Sequence, residues 1–348
     1  MKVLHVLASN KYSGAENVAC QIIKMFDGEI EMAYCSPDGL IRNALLERNI
    51  AFLPIKKLSK KELKRAIKEY QPDIIHAHDM RASFVVAKAV KKRPFISHIH
   101  NNAFDSRAIS LKSIAYLCAA KKARRIFWVT ESAYQGYKFH NLFKGKSTIL
   151  YNIIDIERLY EKLQEDKNSY AYDIVYVGRL AYEKNPQRLM EVLCKVTQKD
   201  PKVKIAIVGT GELEREVKEL SRSLGIEKNV EFLGFQNNPL KIMHDAKVMI
   251  MTSRWEGVPM CAIEAMALGL PIVSTPTDGL KALIEDGVNG FLSEDDEKLA
   301  ERIMSILLDC ELYQKLSVAT KRKGVQRNRV QPYKQMLVEC YKGILINL

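Results

Sequence analysis

Two carboxylates, Glu256 and Glu264, stand eight residues apart around a turn, Gly257-Val258-Pro259-Met260, at which a helix-like run begins. A helix N-terminus offers unpaired N–H groups and a partial positive charge, so it can seat a phosphate. Two acids beside such a seat would repel the phosphate itself. They suit hydroxyl groups that donate to them from either side of it, and a nucleotide sugar has that layout: ribose, diphosphate, sugar. Read without further context, the stretch also fits an ordinary buried βαβ unit with two surface acids.

A second group is histidine-based. His76, His78, His98 and His100, four of the seven histidines, all fall at the C-terminal ends of strand-like runs. Ligands of parallel sheets gather at those ends. No cysteine or paired acid accompanies the four, so no metal site is expected there. By strand alternation His98 and His100 point the same way, and spacing does not separate them.

The elements that must hold these residues alternate along the chain. Residues 2–8 read as a strand, 9–14 as a small-residue loop and 15–25 as a helix, the layout of a phosphate-binding turn in which Gly14 lets the backbone approach an anion. Strand-like runs at 31–35, 51–54, 73–77, 94–98, 125–129 and 147–150 alternate with helix-like runs at 40–48, 61–69, 81–90, 109–123 and 132–143. The helix at 109–123 is expected to bury most of its apolar face, including Ile109, Ile114, Leu117 and Cys118. Residues 157–172 are polar without β periodicity and read as a linker, which puts the domain boundary near 165. Beyond it come strands at 173–177, 204–208, 248–251 and 270–274, a Gly209-Thr210-Gly211 turn opening a helix, and the helix from Met260 to a stop at Gly269. Helices at 295–310, 311–323 and 331–348 follow, with a break at 324–330. Such alternation predicts an α/β fold with parallel sheets covered on both faces.

The motifs resemble a known family. E-x7-E, with G-x-P after the first Glu and E-A-M-A-x-G-x-P from the second, is similar to the donor-site signature of retaining family-4 glycosyltransferases of the GT-B fold, of the type that builds bacterial cell-surface polysaccharide and glycolipid. The resemblance implies two Rossmann-like domains facing a central cleft. Residues 1–165 would bind the acceptor, 166–328 the nucleotide sugar, and the helix of 329–348 would cross back to the first domain. Gly178-Arg179-Leu180-x3-Lys184 resembles the family's diphosphate motif, which implies that Arg179 forks onto phosphate oxygens and Lys184 adds a point charge. Ser13-Gly14-Ala15-Glu16 is similar to the family's G-G-A-E loop, with Ser13 in place of the first glycine, and Glu16 is expected to cap its own helix.

The resemblance further implies that Glu264 binds the ribose hydroxyls and Glu256 those of the donor sugar, and that Gly209, Gly211 and Phe235 line the base and ribose pocket. A histidine after the strand at 94–98 would reach the transferred sugar. His100 matches best because it precedes Asn101-Asn102, with His98 the alternative. Asn152 and Asp155 match the family's hinge motif, whereas Asp278-Gly279-Leu280-Lys281 departs from its G-G-x-x-E. The implied reaction retains the anomeric configuration by same-face attack, the leaving phosphate taking the acceptor's proton, with no cofactor and no metal required. Asp105 and Asp155 are the other acids considered as a base.

Composition bounds the partners. Seven cysteines are scattered without metal-ligand spacing, as expected of reduced thiols in a cytosolic protein. No apolar run approaches the roughly eighteen residues that span a bilayer. Residues 1–150 hold 26 Lys+Arg and 12 Asp+Glu, a net of +14, while residues 151–348 hold 28 and 29, a net of −1. That asymmetry points to an anionic membrane surface and an acceptor that is a saccharide or a polyprenyl-diphosphate-linked saccharide, with the protein held peripherally at the inner face of the cell membrane. Nucleic acid is not expected, because the basic clusters carry no interleaved aromatics. A nucleotide-sugar 2-epimerase and a transferase with a soluble acceptor remain the alternatives.

Overall fold

The computed structural model describes residues 1–100 and 106–346. The chain forms two compact units, Met1–Asn152 with Val330–Leu348, and Ile153–Arg329.

In the first unit the described residues form one parallel sheet, β3-β2-β1-β4-β5-β6-β7. Its strands are β1 (Lys2–Val6), β2 (Glu31–Pro37), β3 (Phe52–Ile55), β4 (Ile74–His78), β5 (Phe95–Ile99), β6 (Arg125–Trp128) and β7 (Ser147–Ile149). β4 and β5 are buried along their whole lengths, as strands covered on both faces must be. Register sets His5 beside His76 and His78 beside His98. The helix Val330–Ile346 completes this unit, burying Tyr333, Leu337, Tyr341 and Ile344 along one face.

The second unit carries a parallel sheet ordered β10-β9-β8-β11-β12-β13. Its strands are β8 (Ile174–Val177), β9 (Ile205–Val208), β10 (Val230–Gly234), β11 (Val248–Met251), β12 (Ile272–Ser274) and β13 (Gly290–Leu292). Between β11 and β12 runs the helix Met260–Leu268, almost wholly buried, which stops where Gly269 turns left-handed at φ +79° and Leu270 N–H reaches Ala265 O at 2.8 Å.

Four local expectations change. The stretch read as a linker contains the helix Ile156–Glu165, capped by Asp155 and packed through Leu159 and Leu163, and the second unit starts at Ile153. Gly324 does not break a helix; it lies inside Cys310–Arg327, where a Cβ would collide with the backbone of Met266. The helix expected at 132–143 ends at Gln135, because Gly136 leads into a separate 3-10 turn, His140–Lys146. The helix expected at 109–123 spans Leu111–Lys122 and turns a different face inward. Ser113, Tyr116, Ala119 and Ala120 are buried, while Ile109, Leu111 and Ile114 are 69%, 89% and 45% exposed and Cys118 is exposed. The aromatic decides the rotation: Tyr116 brings the larger apolar surface, and its hydroxyl is 2.9 Å from Ser97 Oγ.

Candidate active site

In the second unit the loops leaving β8 and β9 lie backbone to backbone. Gly178 N–H donates to Val208 O at 2.9 Å, and Leu180 N–H to Thr210 O at 3.0 Å. A Cβ on Gly209 would overlap the Gly178 carbonyl, and one on Gly211 the Leu180 carbonyl. The G-x-G turn is therefore required by this close approach, whatever else it lines. Likewise a Cβ on Gly279 would overlap the Gly257 carbonyl, which gives Asp278-Gly279 a packing reason of its own.

That packing presents the polar residues. Lys184 Nζ donates to Glu256 Oε1 in a short ion pair between two largely buried side chains, and Ser253 Oγ donates to the same oxygen at 2.7 Å. Burial alone would lower the Lys184 ammonium, but the Glu256 carboxylate outweighs it and holds the pKa above its usual value. Arg179 is exposed and pairs with Glu183. Val258, Pro259 and Met260 are buried where the helix starts, and its N-cap residue, Pro259, supplies no side-chain cap to the first N–H groups. Glu264 sits in the second turn of that helix, half-buried, and desolvation pushes its carboxyl up to about 7 against the pull of Lys162. Phe235 lies on the surface, 58% exposed. Ser253 was missed in the sequence, since nothing in its spacing marks it as a partner of Glu256.

In the first unit the histidine cluster has five members, not four. His5 Nδ1 lies 2.9 Å from His78 Nε2, and His78 Nδ1 lies 2.8 Å from His100 Nε2. Alongside, Tyr341 Oη lies 2.8 Å from His76 Nδ1, and His76 Nε2 lies 3.2 Å from His98 Nδ1. His5, His76, His78 and His98 are buried and His100 is half-buried. Two sets of three, His5 with His76 and His78, and His78 with His98 and His100, bring nitrogens within 4.8 Å of one another. Asp79 holds the end of this ladder: its backbone is left-handed at φ +70°, its carboxylate accepts from the His100 backbone N–H at 3.2 Å, and burial raises it to about 7. His5 and Tyr341 could not be found from sequence, because the β1–β4 pairing and the return of the last helix are tertiary facts.

Gly14 is the first residue of the helix Gly14–Met25, and a Cβ there would meet nothing within 4 Å, so packing gives no reason for a glycine. Glu16 is buried and accepts from the Ser13 hydroxyl. Asp155 spends a carboxylate oxygen on the Arg158 N–H at 3.1 Å, a capping duty. Asn101, Asn102 and Asp105 lie outside the described residues. Two basic clusters distant in sequence, Lys64 with Lys68 and Lys91-Lys92-Arg93, line one surface hollow where β4 and β5 begin. Among the described residues no helix is long and apolar enough to cross a membrane.

Residues 158–323 match the family described as Glycosyl transferases group 1, and residues 15–158 match Glycosyltransferase Family 4. The chain is 28% identical over 289 residues to the uncharacterized glycosyltransferase MJ1059 of Methanocaldococcus jannaschii, covering 73% of this chain and 71% of that one. It is 26% identical over 329 residues to the UDP-Gal:alpha-D-GlcNAc-diphosphoundecaprenol alpha-1,3-galactosyltransferase of Escherichia coli, covering 84% of each. Among solved structures its fold resembles that of Anabaena HepE in complex with UDP-glucose, with a TM-score of 0.84 over 99% of this chain and 100% of that one at 23% identity.

Proposed function

Because the chain belongs to the glycosyltransferases that join a Family 4 region to a group 1 region, we propose that it moves a hexosyl group from a UDP-sugar to a polyprenyl-diphosphate-linked saccharide or other glycolipid. The anomeric configuration is retained. The observation that carries this reading is the Lys184–Glu256 pair beside an uncapped helix start, with Glu264 one turn further on. In one small region it offers a cation for a diphosphate, N–H groups for its oxygens, and a carboxylate for the hydroxyls at each end.

Each group has a step. Arg179 and Lys184 meet the negative charge that grows on the leaving diphosphate, so they stabilise the transition state more than the bound donor. Glu256 orients the sugar and Glu264 the ribose, with Gly178, Gly209, Gly211 and the turn 257–260 shaping the backbone around them. His100 is read as the histidine that reaches the transferred sugar. The departing phosphate oxygen takes the acceptor's proton, and neither metal nor cofactor is required. The E. coli relative, whose acceptor is a saccharide on diphosphoundecaprenol, supports the lipid-linked acceptor. So do the exposed Ile109, Leu111 and Ile114, which suit a bilayer surface. Catalysis would then take place at the cytoplasmic face of the membrane.

A panel of UDP- and GDP-sugars scored by thermal stabilisation tests the donor. A true donor at 100 times its dissociation constant adds about 2.7 kcal/mol. Transfer to a prenyl-diphosphate sugar, with the product's anomeric configuration read by NMR, tests acceptor and stereochemistry. The reading falls if no sugar nucleotide stabilises the protein. An epimer formed from UDP-sugar alone would favour the epimerase instead.

A further inference from the structure

Beside the Lys184–Glu256 pair the second unit carries an aromatic surface that its own packing does not account for. Tyr182 is 58% exposed and Trp255 37% exposed, and their ring centroids lie 5.8 Å apart at an interplanar angle of 59°. Both are placed by the loops that place the pair. Tyr182 opens the 3-10 turn that ends at Lys184, and Trp255 directly precedes Glu256. Glu256 turns inward to Lys184 and Ser253, whereas Trp255 turns to solvent.

Arg254 fixes the two loops to each other. Its backbone N–H donates to Glu183 O at 2.9 Å, its Nε–H donates to Tyr182 O at 3.2 Å, and its guanidinium lies 4.5 Å from the centre of the Tyr182 ring. The cation–π contact holds that ring in place, yet leaves it exposed. Among the described residues neither the Tyr182 hydroxyl nor the Trp255 indole N–H has a hydrogen-bond partner in the protein. Two large rings are thus held ready in solvent, each with an unused donor at its edge.

A pyranose ring matches such a surface. One of its faces is a patch of C–H groups, weakly positive against the negative face of an aromatic ring, and its rim carries hydroxyls that accept from a phenol or an indole N–H. Aromatic side chains make this contact at low entropic cost, because binding freezes only two χ angles in each. Around the rings, Arg254 and the Arg179–Glu183 pair carry charges of both signs, which suits a hydroxylated ligand better than hydrocarbon.

We propose that Tyr182 and Trp255 form a stacking platform for a sugar ring other than the donor's, a second carbohydrate subsite carried by the second unit alone. This rests on the reading of Glu256 as the acid that holds the donor sugar.

The chain has two tryptophans, and Trp128 is fully buried, so emission that acrylamide quenches reports Trp255. The full chain is titrated with maltotriose, globotriose and tri-N-acetylchitotriose, then challenged with UDP-glucose and UDP-galactose. At least one trisaccharide should shift the Trp255 emission and protect it from acrylamide, and neither UDP-sugar should displace it. Tyr182→Ala should weaken trisaccharide binding about tenfold, as truncating a stacked aromatic typically does, and leave the affinity for UDP unchanged in calorimetry. Trp255→Ala should weaken it likewise, whereas Trp255→Phe keeps a ring and should bind, silently in emission but visibly in calorimetry. No protection by any of the three trisaccharides overturns the proposal. So does displacement by a UDP-sugar, which would put the trisaccharide in the donor's place, and so does protection by phosphatidylglycerol vesicles alone, which would make the pair a bilayer contact. Trisaccharide binding by a chain that binds no UDP would sink the donor reading instead and leave Tyr182 and Trp255 as a sugar site in their own right.

Discussion

Lys184 and Glu256 neutralise each other at the place where a diphosphate and a sugar hydroxyl are expected, so each holds its partner ready at little electrostatic cost. Removing one leaves a buried charge alone. Lys184→Met should therefore destabilise the fold by about 3–5 kcal/mol in urea denaturation. The double variant Lys184→Met/Glu256→Gln should recover part of that loss, and turnover in either should drop roughly 10²–10³-fold. Glu264 acts through its proton. Its carboxyl is raised from 4.5 to about 7, so the folded chain holds a proton there that the unfolded chain has released. The stability this contributes is present below pH 4.5 and is lost as pH rises to about 7. Glu264→Gln should remove that slope, gaining on the wild type at pH 8 and not at pH 4. Ribose hydroxyls favour the ionised carboxylate. Calorimetry should thus find UDP binding in the wild type strengthening up to about pH 7 and then level, and in Glu264→Gln flat throughout.

Among the elements, the glycines divide into those that packing demands and one that it does not. Gly279→Ala drives a methyl into the Gly257 carbonyl, and Gly211→Ala drives one into the Leu180 carbonyl. Both should lower the melting temperature and weaken UDP binding. Gly14→Ala meets open space at a helix start and should leave the melting temperature unchanged or slightly raised. The α/β alternation was legible in the sequence because strands covered on both faces read as continuous apolar runs. The helix after Gly257-Val258-Pro259 was legible for its turn and its stop at Gly269. What escaped was whatever depends on a distant neighbour. Gly324 reads as a breaker until Met266 is set against it, and Ile114 reads as core until Tyr116 is seen to claim the inward face. Likewise Glu157 to Glu165 reads as solvent-facing linker, although Leu159 and Leu163 suffice to dock it. The motif residues at 178–184 and 256–264 could be named by resemblance, but not the mutual pairing of Lys184 with Glu256.

For the molecule as a whole, one basic hollow and the exposed apolar residues occupy different ends of the first unit. The basic hollow of Lys64, Lys68 and Lys91 to Arg93 lies where β4 and β5 begin. Ile109 and Leu111 follow the end of β5, the side of the sheet on which His100 lies. If the acceptor is drawn from a bilayer, the apolar end is the one that must touch it, and the lysines serve to gather the protein from a distance. Ile109→Asp/Leu111→Asp should reduce flotation with phosphatidylglycerol vesicles at both low and high salt and raise KM for a lipid-linked acceptor. Lys91→Ala/Lys92→Ala/Arg93→Ala should weaken flotation at low salt alone, by about 1 kcal/mol per charge. No flotation of the wild type at low salt would remove the membrane from the account.

The return of the helix Val330–Ile346 to the first unit also fixes an order of events during synthesis. The ribosome finishes all of Ile153–Arg329 before the residues that close the first sheet emerge. Until then His76 lacks its phenol and the surface later covered by Leu337 and Tyr341 is bare. The unit encoded first is thus the one completed last, and a nascent chain stalled short of residue 330 would leave the ribosome with its second lobe folded and its first still open to chaperones.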